Sequence, residues 1–401
     1  MKTEVLLRSI GKINDELIAD AESEANTKRK PGWAKLGTMA ACLALVLCTG
    51  IATHAIRNNA TAGTFTMDVN PSVEYTIAKS GTVSRFDDIN APVDEFGRVL
   101  TTPGHYAFLR IAEGCDNWCA FCIIPKLRGK YRSRTMEHVL AEARQLADSG
   151  VKELIVIAQD ITRYGMDWDG KPHLADFLEE LCKLDFHWIR LHYLYPEWID
   201  DRLIDVIARE DKILKYLDIP LQHCNDKILK KMNRRGDKKY LCALLDKLRE
   251  RIPGLVLRTS IIAGLPGEGE EEFDELCDFL REQKLLRAGV FPYSPEEGTR
   301  AAKMERVDSD EAARRAERIV DIQSEIIDAW NDERQGDVME VLCEGFDGQS
   351  MLFVGRSYAE SPDIDGRIYF SAPRDVAAGE FVPVRITGAM DGELTGELAE
   401  E

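Results

Sequence analysis

Six short apolar runs recur between residues 106 and 293: "YAFLRI" (106–111), "VKELIVIAQ" (151–159), "HWIRLHYL" (187–194), "KYLDIPL" (215–221), "LVLRTSIIAG" (255–264) and "LLRAGVFPY" (285–293). Between them lie stretches with helical periodicity at Met136 to Asp148, Leu174 to Leu184, Ile199 to Arg209, Lys239 to Arg251 and Glu271 to Gln283. A strand, a helix and another strand close into one sheet only if the strands run parallel, so this alternation leaves the chain few folds. The expectation is an α/β core, an open parallel (βα)6 barrel. In such barrels chemistry sits where strands end and loops begin.

The loop after the first run is "EGCDNWCAFCIIPKLRGKYRSR" (113–134), with Cys115, Cys119 and Cys122 in a C-x3-C-x2-C spacing. The next cysteine is Cys182. A structural zinc takes four closed ligands, and a thiolate-held iron–sulfur cluster usually takes four as well. Three thiols therefore fill three corners and leave one open for a substrate or cofactor. Spacing alone leaves two other readings standing: three inert core thiols, or zinc completed by a remote histidine such as His105. Lys126, Arg128, Lys130, Arg132 and Arg134 alternate as one face of an extended segment does, and that face either guides an anion or is simply solvated. Two further motifs end strands. Gly264 and Gly267 in "AGLPGE" either let backbone approach a cofactor or make only a turn. Gln222 and His223, closing "YLDIPLQH", either point into the barrel mouth or form a satisfied structural pair.

After a charged helix near Asp308 to Arg334, the tail turns to short alternating strands separated by glycine turns: "DVMEVLCEG", "MLFVGRS", "RIYFSA" and "FVPVRITGA". A small five-stranded antiparallel barrel fits this pattern. Residues 337–401 hold 14 Asp and Glu, four Arg and no Lys, a net charge of -10. Such a surface repels an RNA backbone, though acidic surface also serves solubility alone.

The N-terminal part reads differently. Leu36 to Ile56, "LGTMAACLALVLCTGIATHAI", has no formally charged residue over 21 positions, long enough to cross a bilayer. Lys28, Arg29, Lys30 and Lys35 precede it and Arg57 follows, which puts residue 1 on the cytoplasmic side. A buried Ala/Leu-rich helix is the plainer alternative. Residues 62–83 then read as a strand, a turn and a second strand. With its "DVNPS" strand this region resembles the stretch just outside the membrane in membrane-anchored anti-sigma factors, which implies a membrane-anchored signalling role for residues 1–84.

From about Arg85 to Glu397 the resemblance is to another family. "GCDNWCAFC", with Phe121 just before its last cysteine, resembles the cluster loop of radical S-adenosylmethionine enzymes. "AQDITRYGMD", "YLYPEWID", "YLDIPLQH", "KKMNRRGD", "RTSIIAGLPGE", "FPYSPEEGTRAA" and "GRSYAESPDIDG" resemble the methylthiotransferases that modify an aspartate of small-subunit ribosomal protein twelve. The tail resembles their TRAM domain. The resemblance implies that Cys115, Cys119 and Cys122 hold one [4Fe-4S] cluster whose open iron binds S-adenosylmethionine, with Gln222, Gly264 and Gly267 beside that cofactor. It also implies reductive cleavage to a 5'-deoxyadenosyl radical, fed by a donor such as flavodoxin or ferredoxin, and β-methylthiolation of the aspartate. The expected partner is the ribosomal protein or the ribosome. The alternative within the superfamily, a transfer RNA adenosine methylthiotransferase, fits the acidic tail less well.

The departure from that family lies at the start. Its members carry an N-terminal α/β domain with three more cysteines for a second [4Fe-4S] cluster, whereas here only Cys42 and Cys48 precede Cys115. The expected organisation is an atypical segment 1–84 with a candidate span at 36–56, a linker 85–104, a radical core 105–334 and a TRAM domain 335–401. On this reading the chain is a composite joined near residue 84, a natural fusion or a gene-model join. The catalytic part belongs in the cytoplasm, and sulfur insertion is impaired.

Overall fold

The computed structural model describes residues 100–399 and, ahead of them, the backbone of three short strands. Those strands, β1 (Thr61–Met67), β2 (Val73–Ala78) and β3 (Val83–Arg85), form a small sheet in the order β1-β2-β3, one strand more than the sequence pattern suggested. The candidate span 36–56 lies outside the described residues. Among the described residues no helix is long and apolar enough to cross a membrane.

The core is a six-stranded parallel sheet built from β4 (Tyr106–Arg110), β5 (Glu153–Ile157), β6 (Trp188–Leu191), β7 (Ile213–Asp218), β8 (Val256–Ala263) and β9 (Arg287–Pro292). The strands are neighbours in chain order, with parallel registers such as Leu154 beside Ala107 and Ile189. The intervening helices include α1 (Met136–Asp148), α2 (Leu174–Leu181), α3 (Asp201–Arg209), α4 (Asp226–Lys231), α5 (Lys238–Arg251), α6 (Glu270–Gln283) and the long α7 (Ser309–Glu333). Their starts are set by side-chain caps: Thr135, Asp200, Asn225, Asp237 and Asp308 accept from backbone N–H groups one to three residues into the helix that follows each. Helical spacing then turns Val139, Leu140, Ala143 and Leu146 of α1 inward. They meet Ala107, Leu109, Leu154, Val156 and Ile189, which alternation places on the helix side of the sheet.

The opposite, inner face is unusual for a core. It carries Glu153, Arg190, His192, Asp218, Arg258 and Arg287, all buried or nearly so. Their partners come largely from the second unit of structure, a closed barrel of β10 (Val338–Asp347), β11 (Leu352–Arg356), β12 (Ile368–Ser371), β13 (Phe381–Met390) and β14 (Glu393–Leu398). The five-stranded expectation holds, but β14 closes the barrel by pairing parallel to β12. The connection after β11 runs along the inner face of the sheet. Glu153 lies between Arg190 (2.6 Å) and Arg356 (2.7 Å), and Glu360 pairs with Arg287 at 2.7 Å. Tyr216 donates to Asp365 at 2.6 Å, and Ser361 Oγ lies 2.9 Å from His192 Nε2. Trp188, Leu214, Tyr216 and Val256 pack there against Leu342, Ala359 and Phe381.

This seam makes stability sensitive to acid. Burial pushes the His192 imidazole down to about 3, helped by Arg190 and Arg258 and opposed by Glu153. Burial also pushes the Glu153 carboxyl up, but the Arg190 and Arg356 guanidiniums overcome it and hold it at about 2. Both groups are depressed on folding. The contribution of His192 is complete above its ordinary value near 6.5 and is lost as pH falls towards 3, and that of Glu153 is complete above about 4.5 and lost towards 2. The melting temperature should therefore decline as pH drops from 6.5 towards 3. His192→Gln, which cannot ionise yet can still bond Ser361, should flatten the upper part of that decline, and an unchanged slope would exclude His192 as its source.

Candidate functional site

The cysteine loop leaves the C-terminal end of β4 through a two-residue ladder, Ala112–Glu113 against Arg132–Ser133. Gly114 sits at φ +80, and a Cβ there would lie 2.1 Å from the Lys130 carbonyl oxygen, so the loop can fold back on itself only with glycine at this point. Cys115 N donates to Gly129 O at 3.2 Å and Cys122 N to Cys119 O at 3.0 Å. The segment after α4 clasps the loop: Ala120 N donates to Met232 O at 2.8 Å, and Asn233 Nδ2 donates to the carbonyls of Asn117 and Trp118. Ala120, Ile228, Met232, Leu265 and Ala301 form the apolar floor beneath it. From the β5 side, Asp160 accepts from Asn117 Nδ2 at 3.0 Å.

All three cysteines are free thiols, Cys115 and Cys119 buried and Cys122 partly so. Burial pushes the Cys115 thiol up to about 12 against a backbone hydrogen bond at Asn117, with Cys119 and Cys122 adding to the rise. Burial also raises Cys122, opposed by a backbone bond at Ile124. The three thiols thus lie near enough to act on one another electrostatically, and a metal binding there must displace their protons. Among the described residues no three His, Cys, Asp or Glu side chains converge as a single ion requires. Zinc would draw its sulfurs to about 3.8 Å from one another, given Zn–S bonds near 2.3 Å. Three free thiols on one loop are the donor set of a cluster with one iron open, and in that respect the residues present fit a [4Fe-4S] group.

The zinc alternative through His105 fails on position. His105 precedes β4 while the cysteines follow it, so the length of a strand, roughly 16 Å at about 3.3 Å per residue, lies between them, and His105 faces Glu344 of the small barrel at 3.8 Å. The extended basic face is also corrected. Pro125 opens a short helix, Ile124–Arg128, that takes Lys126 and Arg128 out of any strand. Arg128 pairs with buried Glu113 at 3.0 Å, Lys126 donates to Gly298 O, and Arg134 pairs with Glu142 at 2.7 Å. These residues staple the loop to its surroundings.

Gln222 stands at φ +73 and continues the sheet beyond β7, its N–H bonded to Ser260 O and its carbonyl to Ile262 N. His223 Nδ1 accepts from Asn225 N at 3.0 Å while Nε2 lies 3.3 Å from Glu268, a buried structural pairing. At Gly264 (φ +77) the space a side chain would need is taken by Ala312 Cβ, 2.4 Å from an added Cβ. At Gly267 (φ +91) it is taken by Lys231 Nζ, also at 2.4 Å. What these glycines admit is therefore this chain's own α7 and the end of α4. Two neighbours of the thiols lie within the strings "YLYPEWID" and "KKMNRRGD" without being singled out there as site residues. Arg234 Nη1 lies 3.7 Å and the Tyr195 hydroxyl 3.6 Å from Cys119 Sγ. Tyr195 lies in the loop after β6 and Arg234 in the segment after α4.

Residues 109–280 match the Radical SAM superfamily and residues 336–399 the TRAM domain. The ribosomal protein uS12 methylthiotransferase RimO of Symbiobacterium thermophilum is 48% identical over 323 residues, spanning 79% of this chain and 67% of that protein. The protein of the same name from Pelotomaculum thermopropionicum is 49% identical over 306 residues, 75% of this chain and 69% of that one. That from Clostridium tetani is 45% identical over 314 residues, 78% and 70% respectively. With a cysteine loop at the mouth of an open parallel barrel, a closed barrel behind it and relatives this similar over most of their length, the chain belongs to the RimO family of radical S-adenosylmethionine methylthiotransferases.

Proposed function

We propose that this chain carries the radical part of a β-methylthiolation of an aspartate in ribosomal protein uS12, with Cys115, Cys119 and Cys122 holding one [4Fe-4S] cluster through three of its irons. The observation that carries this reading is the set of three thiols on a glycine-hinged loop at the C-terminal end of β4. Bound there with S-adenosylmethionine, the cluster supplies reductive cleavage of the sulfonium and so hydrogen abstraction from an unactivated carbon, which no side-chain acid or base can perform. The chain's own residues hold and shield. The clasp from Met232 and Asn233 fixes the loop, the apolar floor keeps water from below, and Gln222, at the end of its strand, lies where the cofactor is to be met. Gly264 and Gly267 serve by letting α7 and α4 close behind it. Residues 105–334 form the catalytic core and 335–401 the TRAM unit. The catalytic part works in a reducing compartment alongside ribosomes, fed by a flavodoxin- or ferredoxin-like donor.

The partner follows from charge. In the small barrel Glu344, Glu360, Asp363 and Asp365 are spent on Arg356, Arg287, Tyr106, Tyr216 and Arg258. The acidic residues left facing outward still outnumber the remaining arginines, Arg367, Arg374 and Arg385. A basic ribosomal protein is attracted to such a surface and RNA is not. Fluorescence anisotropy should therefore show uS12 binding that weakens as salt rises, and transfer RNA binding poorly even at low ionic strength. Tighter binding of transfer RNA in the same titration would reverse the choice of substrate.

A further inference from the structure

Arg234 is a buried cation without a carboxylate in contact. It is 8% exposed; one amino group donates to Pro220 O, the guanidinium lies over the Tyr195 ring at 4.4 Å, and Nη1 is 3.7 Å from Cys119 Sγ. Glu197 acts on it only from a distance. A buried guanidinium with nothing anionic beside it is costly. The sulfur of Cys119 lies close to that charge. The Tyr195 hydroxyl, 3.6 Å from the same sulfur, is the second donor.

We propose that Arg234, with Tyr195, is a positioning residue for the iron–sulfur group, raising the group's reduction potential through hydrogen bonds and charge at the Cys119 sulfur. The proposal rests on the cluster reading above. Reduction adds negative charge to the cluster, so a nearby cation and N–H or O–H donors to sulfur favour the reduced state, and their removal makes the potential more negative. The chain would thereby ease the entry of the electron that its chemistry needs, with neither residue touching the substrate.

The test uses the full chain, loaded anaerobically with iron and sulfide, without S-adenosylmethionine. Iron content, thermal melting and the electron paramagnetic resonance signal of the reduced form are followed against potential in the wild type, Tyr195→Phe, Arg234→Gln and Arg234→Lys. At the potential where the wild type is half reduced, the reduced-to-oxidised ratio should fall about tenfold in Arg234→Gln, equivalent to about 59 mV for one electron. Tyr195→Phe should lower it about threefold at unchanged iron and melting, by the loss of one hydrogen bond, and Arg234→Lys should recover most of the loss. Ratios within about twofold of wild type in the loaded variants would overturn the proposal while leaving the cluster reading intact. If Arg234→Gln fails to fold, Tyr195→Phe decides by the same criterion. A wild type that takes up no iron removes the cluster reading and this proposal with it.

Discussion

Cys119→Ala should take anaerobically reconstituted protein from about four iron atoms per chain to almost none, and Cys115→Ala and Cys122→Ala should do the same. With only three protein ligands, the cluster already has one iron open, and removing one thiolate leaves two irons exposed to water and chelators. Among the described residues the other thiols sit on separate elements. Cys182 sits at the end of α2, and Cys277 and Cys343 are buried in α6 and β10. Cys182→Ala and Cys277→Ala should accordingly retain full iron content, which separates loss of a ligand from loss of fold. Unchanged iron in Cys119→Ala, or zinc in its place after expression with ample iron, would sink the assignment.

The second large effect is an uncoupling. With a strong reductant and S-adenosylmethionine, the 401-residue chain should release 5'-deoxyadenosine and methionine, because that cleavage needs only the cluster, an electron and the cofactor. The uS12 peptide should meanwhile gain no methylthio mass. Sulfur insertion in the family resembled here uses a second cluster on three further cysteines, and this chain places only Cys42 and Cys48 ahead of Cys115. Behind it, Cys224 and Cys242 are close enough to sense one another, a pair at most. Joining a family N-terminal domain to residues 85–401 should restore the modification. A clear methylthio gain in the mass spectrum with the 401-residue chain alone would show that the second cluster is dispensable or supplied by another protein.

How far the sequence could be read depended on whether a signal was local. The bounds of α1 emerge unaltered from Thr135 and the spacing of Val139, Leu140, Ala143 and Leu146. Five strands of the parallel sheet fall within their apolar runs, and β7 begins two residues ahead of its run and ends three before the run does. The short helices Ile124–Arg128 and Asp226–Lys231 have Pro125 in the first turn and Asn225 as the cap, but at five and six residues neither is long enough to show a helical period. The strand Glu393–Leu398 has too little apolar alternation to declare itself, and only its parallel pairing with Ile368–Ser371 reveals it. The three thiols were legible from spacing. Arg234 and Tyr195 were not, since 115 and 76 residues separate them from Cys119 and only folding makes them neighbours. The acidity of the tail was visible, but which acids face inward is decided by Arg258 and Arg287 on other strands.

The run from Arg356 to Asp365 also bears on how the protein is born. Ribosomes extend a chain from its N-terminus, so β4 to β9 emerge while Glu360, which neutralises Arg287, Asp365, the second acid beside Arg258, and Arg356, which shares Glu153 with Arg190, have yet to be made. Until then the inner face must stay hydrated, because charges left unanswered in a dry interior are too costly to bury. The radical barrel is thus completed by the last sixth of its own polypeptide. A chain released early would hold its cysteine loop on an open, water-filled scaffold, and a foreign small barrel grafted in place of this one would have to bring the same run of acids in the same order.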